Sequence, residues 1–100
     1  MQETSQISSQ DIEKLIANGL EYQNAGKIEV AKNYYRKALK ASPKEPNAIH
    51  FLGVAYHQLE DNEQAEKYLK EAVQLKPDDS QTHNHYGCTL VALNKISGAE

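Results

Sequence analysis

Apolar residues recur three and four positions apart along most of this chain. Ile12, Leu15, Ile16, Gly19, Leu20 and Tyr22 form one such series, and Ile28, Ala31, Tyr34, Tyr35, Ala38 and Leu39 form a second. Ile49, Leu52, Gly53 and Tyr56 make a third, followed by Ala65, Tyr68, Leu69, Ala72 and Val73. This spacing gathers the apolar side chains on one face of a helix. Breaks fall between the series. Gly26 suits a left-handed C-cap. Pro43 and Pro77 close helices, because proline lacks the amide the next turn needs. Pro46 suits a first turn. Ser8 with Asp11, and Asp61 with Gln64, have capping-box spacing, and Asp79 suits an N-cap. The pattern predicts helices near 9–25, 28–41, 46–59, 62–75 and 80–93, with a sixth starting near 96. Residues 1–7 are expected to be disordered.

The chain also repeats itself. Shifted by 34 residues, Gly19 falls on Gly53 and Gly87, Tyr22 on Tyr56, and Ala31 on Ala65 and Ala99. Ala38 falls on Ala72, Pro43 on Pro77, and "AIHFLGVAY" (48–56) on "THNHYGCTL" (82–90). Each unit reads as a pair of antiparallel helices. A glycine in a helix interior costs ~1 kcal/mol against alanine, a cost accepted where another helix must come close. Ala31, Ala65 and Ala99 are expected to supply the opposing surface. A single pair cannot bury both of its faces, so the pairs are expected to stack into an all-α solenoid.

Composition narrows the function. A net charge of −3 and a pI near 5.8 argue against a nucleic-acid-binding surface, which is usually basic. No run approaches the ~18 apolar residues of a membrane span, and the opening "MQETSQISSQ" lacks the apolar core of a secretory signal. Cys88 is the single cysteine, so no internal disulfide forms, which is compatible with a reducing compartment. A cytoplasmic protein with no nucleic-acid or membrane partner is expected. The charged run "EDNEQAEKYLKEA" reads as a solvated helix face with Glu63–Lys67 and Glu66–Lys70 pairs.

The repeat resembles the tetratricopeptide family, with its 34-residue period and its leucine-glycine, tyrosine, alanine, aromatic, alanine, proline pattern. The second repeat carries Ile49, Leu52-Gly53, Tyr56, Ala65, Leu69, Ala72 and Pro77, with Leu69 for the usual aromatic. The first carries Leu15, Gly19, Tyr22, Ala31, Tyr35, Ala38 and Pro43, with Asn18 for leucine. The third keeps Gly87 and Ala99, but has His83 at the large apolar position, Tyr86 for leucine and Leu90 for tyrosine. The resemblance covers residues 12–100. It divides the chain into residues 1–7 and a repeat domain, 8–100, with repeats at 12–45, 46–79 and a partial one at 80–100.

The resemblance implies a right-handed superhelix whose concave groove, lined by the first helix of each pair, holds an extended peptide or a partner helix. In repeat 1 the groove positions map to Glu13, Ile16, Ala17, Leu20, Gln23 and Asn24. In repeat 2 they map to Asn47, His50, Phe51, Val54, His57 and Gln58, and in repeat 3 to Gln81, Asn84, His85, Cys88 and Val91. Phe51 is the largest apolar residue among them and the expected anchor. The family's chaperone-tail-binding subclass clamps a terminal carboxylate with lysines, an arginine and asparagines. Ile16, Leu20, Phe51, Gln81 and His85 stand at those places here, so that clamp is absent. Ala17, Phe51 and His85 replace the asparagine ladder of the sugar-transferase subclass. The implied role is a non-catalytic protein-interaction module without a cofactor. The alternative is a recruitment arm of a longer enzyme, since similar bacterial arrays precede glycosyltransferase or methyltransferase domains. The chain stops just after Ala99, which reads as a cut inside a longer array. An exposed apolar strip on the last helix would then favour weak self-association.

The four histidines invite a metal reading, which their spacing opposes. His83 and His85, two apart on a helix, point about 200° from each other. His50 and His57 share a face but stand ~10.5 Å apart along the axis. Neither pair has the i, i+4 spacing of a helical zinc site. His57 and His85 are expected to approach across adjacent first helices and to line the groove, giving a pH response near roughly 6–7 if they pack closely. Cys88 beside histidines is the pattern of a nucleophile, but its repeat register already explains its neighbours. No metal ligand or catalytic residue is expected.

Overall fold

The computed structural model describes residues 8–97, with side chains through Asn94. Five helices follow in order: α1 (Ser9–Asn24), α2 (Ile28–Ala41), α3 (Pro46–Gln58), α4 (Asn62–Leu75) and α5 (Ser80–Ser97). The first four lie within a residue of their expected bounds. The fifth does not stop near 93. It continues to Ser97, through the point where a sixth helix was expected to begin, because no glycine or proline interrupts the sequence between Gly87 and Gly98. The expectations for residues 1–7 and for Ala99 lie outside the described residues.

The caps are those the sequence offers. Ser8 Oγ accepts from the Asp11 amide at 3.2 Å, Asp61 Oδ1 from the Gln64 amide at 3.4 Å, and Asp79 Oδ1 from the Gln81 amide at 3.1 Å. Pro46 sits in the first turn of α3. Gly26 ends α1 in the left-handed region at φ 85°, and one repeat later Glu60 ends α3 the same way at φ 64°. Their neighbours close the same six-residue turn, with the Lys27 amide donating to the Tyr22 carbonyl at 2.8 Å and the Asp61 amide to the Tyr56 carbonyl at 2.9 Å. The turn thus persists where the glycine is lost, at a cost of roughly 1–2 kcal/mol for a non-glycine residue in that region.

Successive helices pack against each other. In addition, α1 touches α3 and α3 touches α5, whereas α2 and α4 do not meet. First helices therefore form the inner layer and second helices the outer one, which is the curvature a solenoid needs to present a concave face. The core between the layers holds Ile16, Ala31, Tyr35, Ala38, Ala48, Leu52, Tyr56, Ala65 and Leu69.

The mid-helix glycines work as expected, but against different partners. A Cβ on Gly19 would stand 2.6 Å from Cε1 of Tyr35, and one on Gly53 would stand 2.7 Å from Cγ of Leu69 and 3.3 Å from its backbone nitrogen. The close surface is the large side chain one helical turn beyond Ala31 or Ala65, not the alanine itself. Nothing described lies within 4 Å of such an atom on Gly87. The expected Glu63–Lys67 and Glu66–Lys70 pairs do not form among the described residues. Lys67 lies instead over the Tyr68 ring, 5.4 Å from its centroid. The ion pairs among the described residues are Lys32–Glu29, Lys44–Glu71 and Lys76–Asp79.

Candidate interaction groove

The inner layer is held together by two joints, one between α1 and α3 and one between α3 and α5. Both use residues 35 apart, because the next repeat is offset by one residue from the 34-residue period. In the first joint Gln23 Nε2 donates to Gln58 Oε1 at 2.6 Å, and Tyr35 from α2 donates its hydroxyl proton to Gln23 Oε1, also at 2.6 Å. Burial pushes the Tyr35 phenol far above its ordinary value, so it stays a proton donor. Ile16 lies in the core beneath this joint, and Phe51, 35 residues on, packs against that core. The Phe51 ring is stacked between Tyr35, with centroids 6.0 Å apart, and His50, with centroids 4.9 Å apart.

In the second joint His50 and His85 take the places that Ile16 and Phe51 hold in the first. His50 Nε2 and His85 Nδ1 lie 3.0 Å apart, one donating and the other accepting according to tautomer. The joint expected between His57 and His85 is thus made by His50 instead. His57 Nδ1 lies 2.9 Å from Asn62 Oδ1, which fixes the ring proton on that nitrogen as the donor, and 3.4 Å from Thr89 Oγ1.

His50 is 4% exposed, and burial is the main cause that holds its pKa below the ordinary histidine value. His85 and Lys76 push in the same direction, and Asp79 opposes them. His85 is also lowered, first by burial and then by His57, against Asp79 and a backbone hydrogen bond at Gln81. Both rings are therefore neutral at pH 7.

Of the expected groove residues, Asn47, Asn84 and Cys88 are exposed and Phe51, Val54, His57 and His85 are half-buried. His50 is buried and committed to Phe51 and His85, and Ile16 and Gln23, expected at the same kind of position in repeat 1, are buried as well. Asn84 and Cys88 line one open depression on α5, with His83, Gly87, Val91 and Ala92. His83 is not in an apolar position. It is exposed and donates from Nε2 to the Pro77 carbonyl at 2.7 Å. The parts Tyr35, Asn62 and Thr89 play were not foreseen. The 35-residue offset relating Gln23 to Gln58 and His50 to His85 is the signal that finds the joints. No group of three or more metal-binding side chains exists among the described residues, and no described helix is long and apolar enough to cross a membrane.

The sequence profile described as Tetratricopeptide repeat matches residues 24–100. The chain belongs to the tetratricopeptide repeat family. The first tetratricopeptide domain of Spaghetti (RPAP3), bound to the HSP90 peptide SRMEEVD, is 28% identical with a TM-score of 0.81, over 93% of this chain and 76% of that one. A mutant form of the Thermobaculum terrenum O-GlcNAc transferase is 26% identical with a TM-score of 0.81, over 86% of this chain and 16% of the transferase. Mouse aspartyl/asparaginyl beta-hydroxylase is 36% identical over 62 residues, 62% of this chain and 8% of the hydroxylase. The chain thus spans a small fraction of these two enzymes. Its tetratricopeptide solenoid resembles peptide-binding domains of the family, which serve as protein-interaction modules.

Proposed function

We propose that the chain is a non-catalytic tetratricopeptide module that holds a peptide or partner helix in the groove of α1, α3 and α5. The observation that carries this reading is the inner layer itself. It leaves Asn47, Asn84 and Cys88 exposed, with Phe51, Val54 and His57 half-open beside them, on a fold shared at TM-score 0.81 with a peptide-bound domain. Polar groups around a few apolar ones suit recognition by side-chain hydrogen bonds and one or two anchors.

The charge of the groove narrows the partner. Neither α3 nor α5 through Asn94 contains a lysine or arginine. Lys76, beside Asn47, is occupied by Asn47 Oδ1 at 3.4 Å and Asp79 at 3.9 Å. SRMEEVD carries two glutamates and an aspartate, and the described residues of α3 and α5 offer them no free cation, while the exposed Lys14 of α1 stands outside the expected groove positions. The expected partner is neutral or basic. A fluorescence-polarisation screen of immobilisable peptides tests this. SRMEEVD is expected not to bind, and Phe51→Ala is expected to weaken a bound neutral peptide about tenfold, or ~1.4 kcal/mol. Since Phe51 also packs on the core, exposed Asn84→Lys is the second probe. An affinity untouched by both would remove the groove assignment.

A second reading is favoured by the small share of the transferase and the hydroxylase that the likeness covers. In it the module recruits substrate or partner for an enzyme on the same polypeptide. Reading the parent gene before the Met1 codon and beyond the Glu100 codon tests it, and the lack of a catalytic domain on either side would exclude it.

A further inference from the structure

The two inner joints are equivalent in position and opposite in chemistry. In the first, Ile16 and Phe51 are inert to protons. In the second, the same two places hold a pair of imidazoles in direct contact, at 3.0 Å with ring centroids 5.1 Å apart. α5 reaches the inner layer through this contact, and α3 and α5 otherwise meet at few places. We propose that the His50–His85 joint is a proton-sensitive hinge that sets the position of α5 against α3, so that acid loosens the third-repeat end of the groove while the first-repeat end stays fixed.

The hinge follows from hydrogen-bond arithmetic. With both rings neutral, one N–H meets one lone pair. One added proton leaves an imidazolium donating to an imidazole, and the contact survives. A second puts N–H against N–H and two positive charges across the gap, and the contact must open. The surrounding groups set how hard this is. From α3, Phe51 covers one face of His50 and offers no charge, and His57 adds repulsion to His85 once protonated. From the end of α4 and the turn after it, Lys76 disfavours a charge on His50, and Asp79 favours charge on both rings. From α5, His85 disfavours a charge on His50, and a backbone hydrogen bond at Gln81 favours charge on His85. At His50, burial, His85 and Lys76 outweigh Asp79, and at His85, burial and His57 outweigh Asp79 and the Gln81 hydrogen bond, so both rings hold protons less tightly than in the unfolded chain. The joint is therefore intact above the ordinary histidine pKa of 6.5 and is lost as pH falls through the lowered folded-state values of the two rings, when the second proton is taken up. Asn84 and Cys88, on α5, move with it.

This rests on the groove reading only for its effect on binding; the hinge itself is tested without a partner. The test is hydrogen exchange of the whole chain at pH 7.5 and 5.0, corrected for intrinsic exchange rates, beside the variant His50→Ile/His85→Phe, which gives the second joint the residues of the first. In the natural chain, α5 is expected to lose protection several-fold on acidification relative to α1 and α2. In the variant that selective loss is expected to vanish. Equal loss in all helices, or a selective loss that persists in the variant, overturns the hinge. Should the variant fail to fold, NMR titration of the His50 and His85 ring protons in the natural chain decides: titration at or above 6.5, or without α5 amide shifts, overturns it too. Loss of pH-dependent peptide binding with an intact hinge would instead count against the groove.

Discussion

The joint between α1 and α3 and the joint between α3 and α5 solve one packing problem twice. The first is closed from both sides, by the Tyr35–Gln23–Gln58 chain at one end and by Phe51 on Tyr35 at the other. The second rests on a polar pair, His50 and His85, with His57, Asn62 and Thr89 at the far end. Ile16 and Phe51 gain from burial and ignore pH, whereas the imidazole pair in the same two places depends on each ring keeping its partner. The fold therefore does not specify what holds neighbouring repeats together, only where. The same contrast runs through the glycines. Gly19 and Gly53 have large side chains over them, and Gly87 has none among the described residues.

The largest expected effect lies where that packing is tightest. Gly53→Ala would set a Cβ 2.7 Å from Leu69 Cγ and 3.3 Å from the backbone of α4. Leu69 is fully buried and cannot swing away, so α4 must shift. Overpacking of this kind costs ~1–3 kcal/mol, of which ~1 is returned by the better helix propensity of alanine. A net loss of up to about 2 kcal/mol is expected in urea unfolding. An unchanged midpoint would mean that the two helices are not in close contact in solution.

A smaller effect is expected from cutting the polar chain of the first joint. Gln23 is 6% exposed, accepts from the buried Tyr35 hydroxyl and donates to Gln58. Gln23→Ala strands that hydroxyl, whose raised pKa prevents escape by ionisation. A stranded buried donor costs ~1–3 kcal/mol, and the lower half of that range is expected because Gln58 can reach water. Adding Tyr35→Phe should recover most of the loss. A double variant no better than the single one would show that the hydroxyl was never the issue.

The architecture was legible because it is written in spacing. The 34-residue register places Gly19, Gly53, Tyr22 and Tyr56, and the caps at Ser8, Asp61 and Asp79 fix the helix starts. The joints were not legible, because they follow a 35-residue offset between helices that never adjoin in sequence. His50 is a polar residue that the family resemblance assigns to the groove. Only the placement of His85 and Phe51 around it shows that it is buried. Glu60 hides a glycine's turn for a similar reason, since the conformation is imposed by the closing bonds and not by the residue type.

The smallest effect, and the sharpest probe of the contrast, is at Gly87. It occupies the same place in α5 that Gly19 holds in α1 and Gly53 in α3, yet a Cβ there meets nothing described within 4 Å. With no clash to oppose it, the alanine's advantage in a helix interior should appear on its own. Gly87→Ala is then expected to stabilise α5, by up to ~1 kcal/mol, where Gly53→Ala destabilises. The gain should be read by hydrogen exchange in α5 beside the urea midpoint, because a single helix can open without the rest. A loss of stability instead would show that in solution a side chain lies over Gly87 as Tyr35 lies over Gly19. The depression lined by Asn84, Cys88 and Val91 would then be the seat of a packed helix, and the end of the groove would be read from that helix as well.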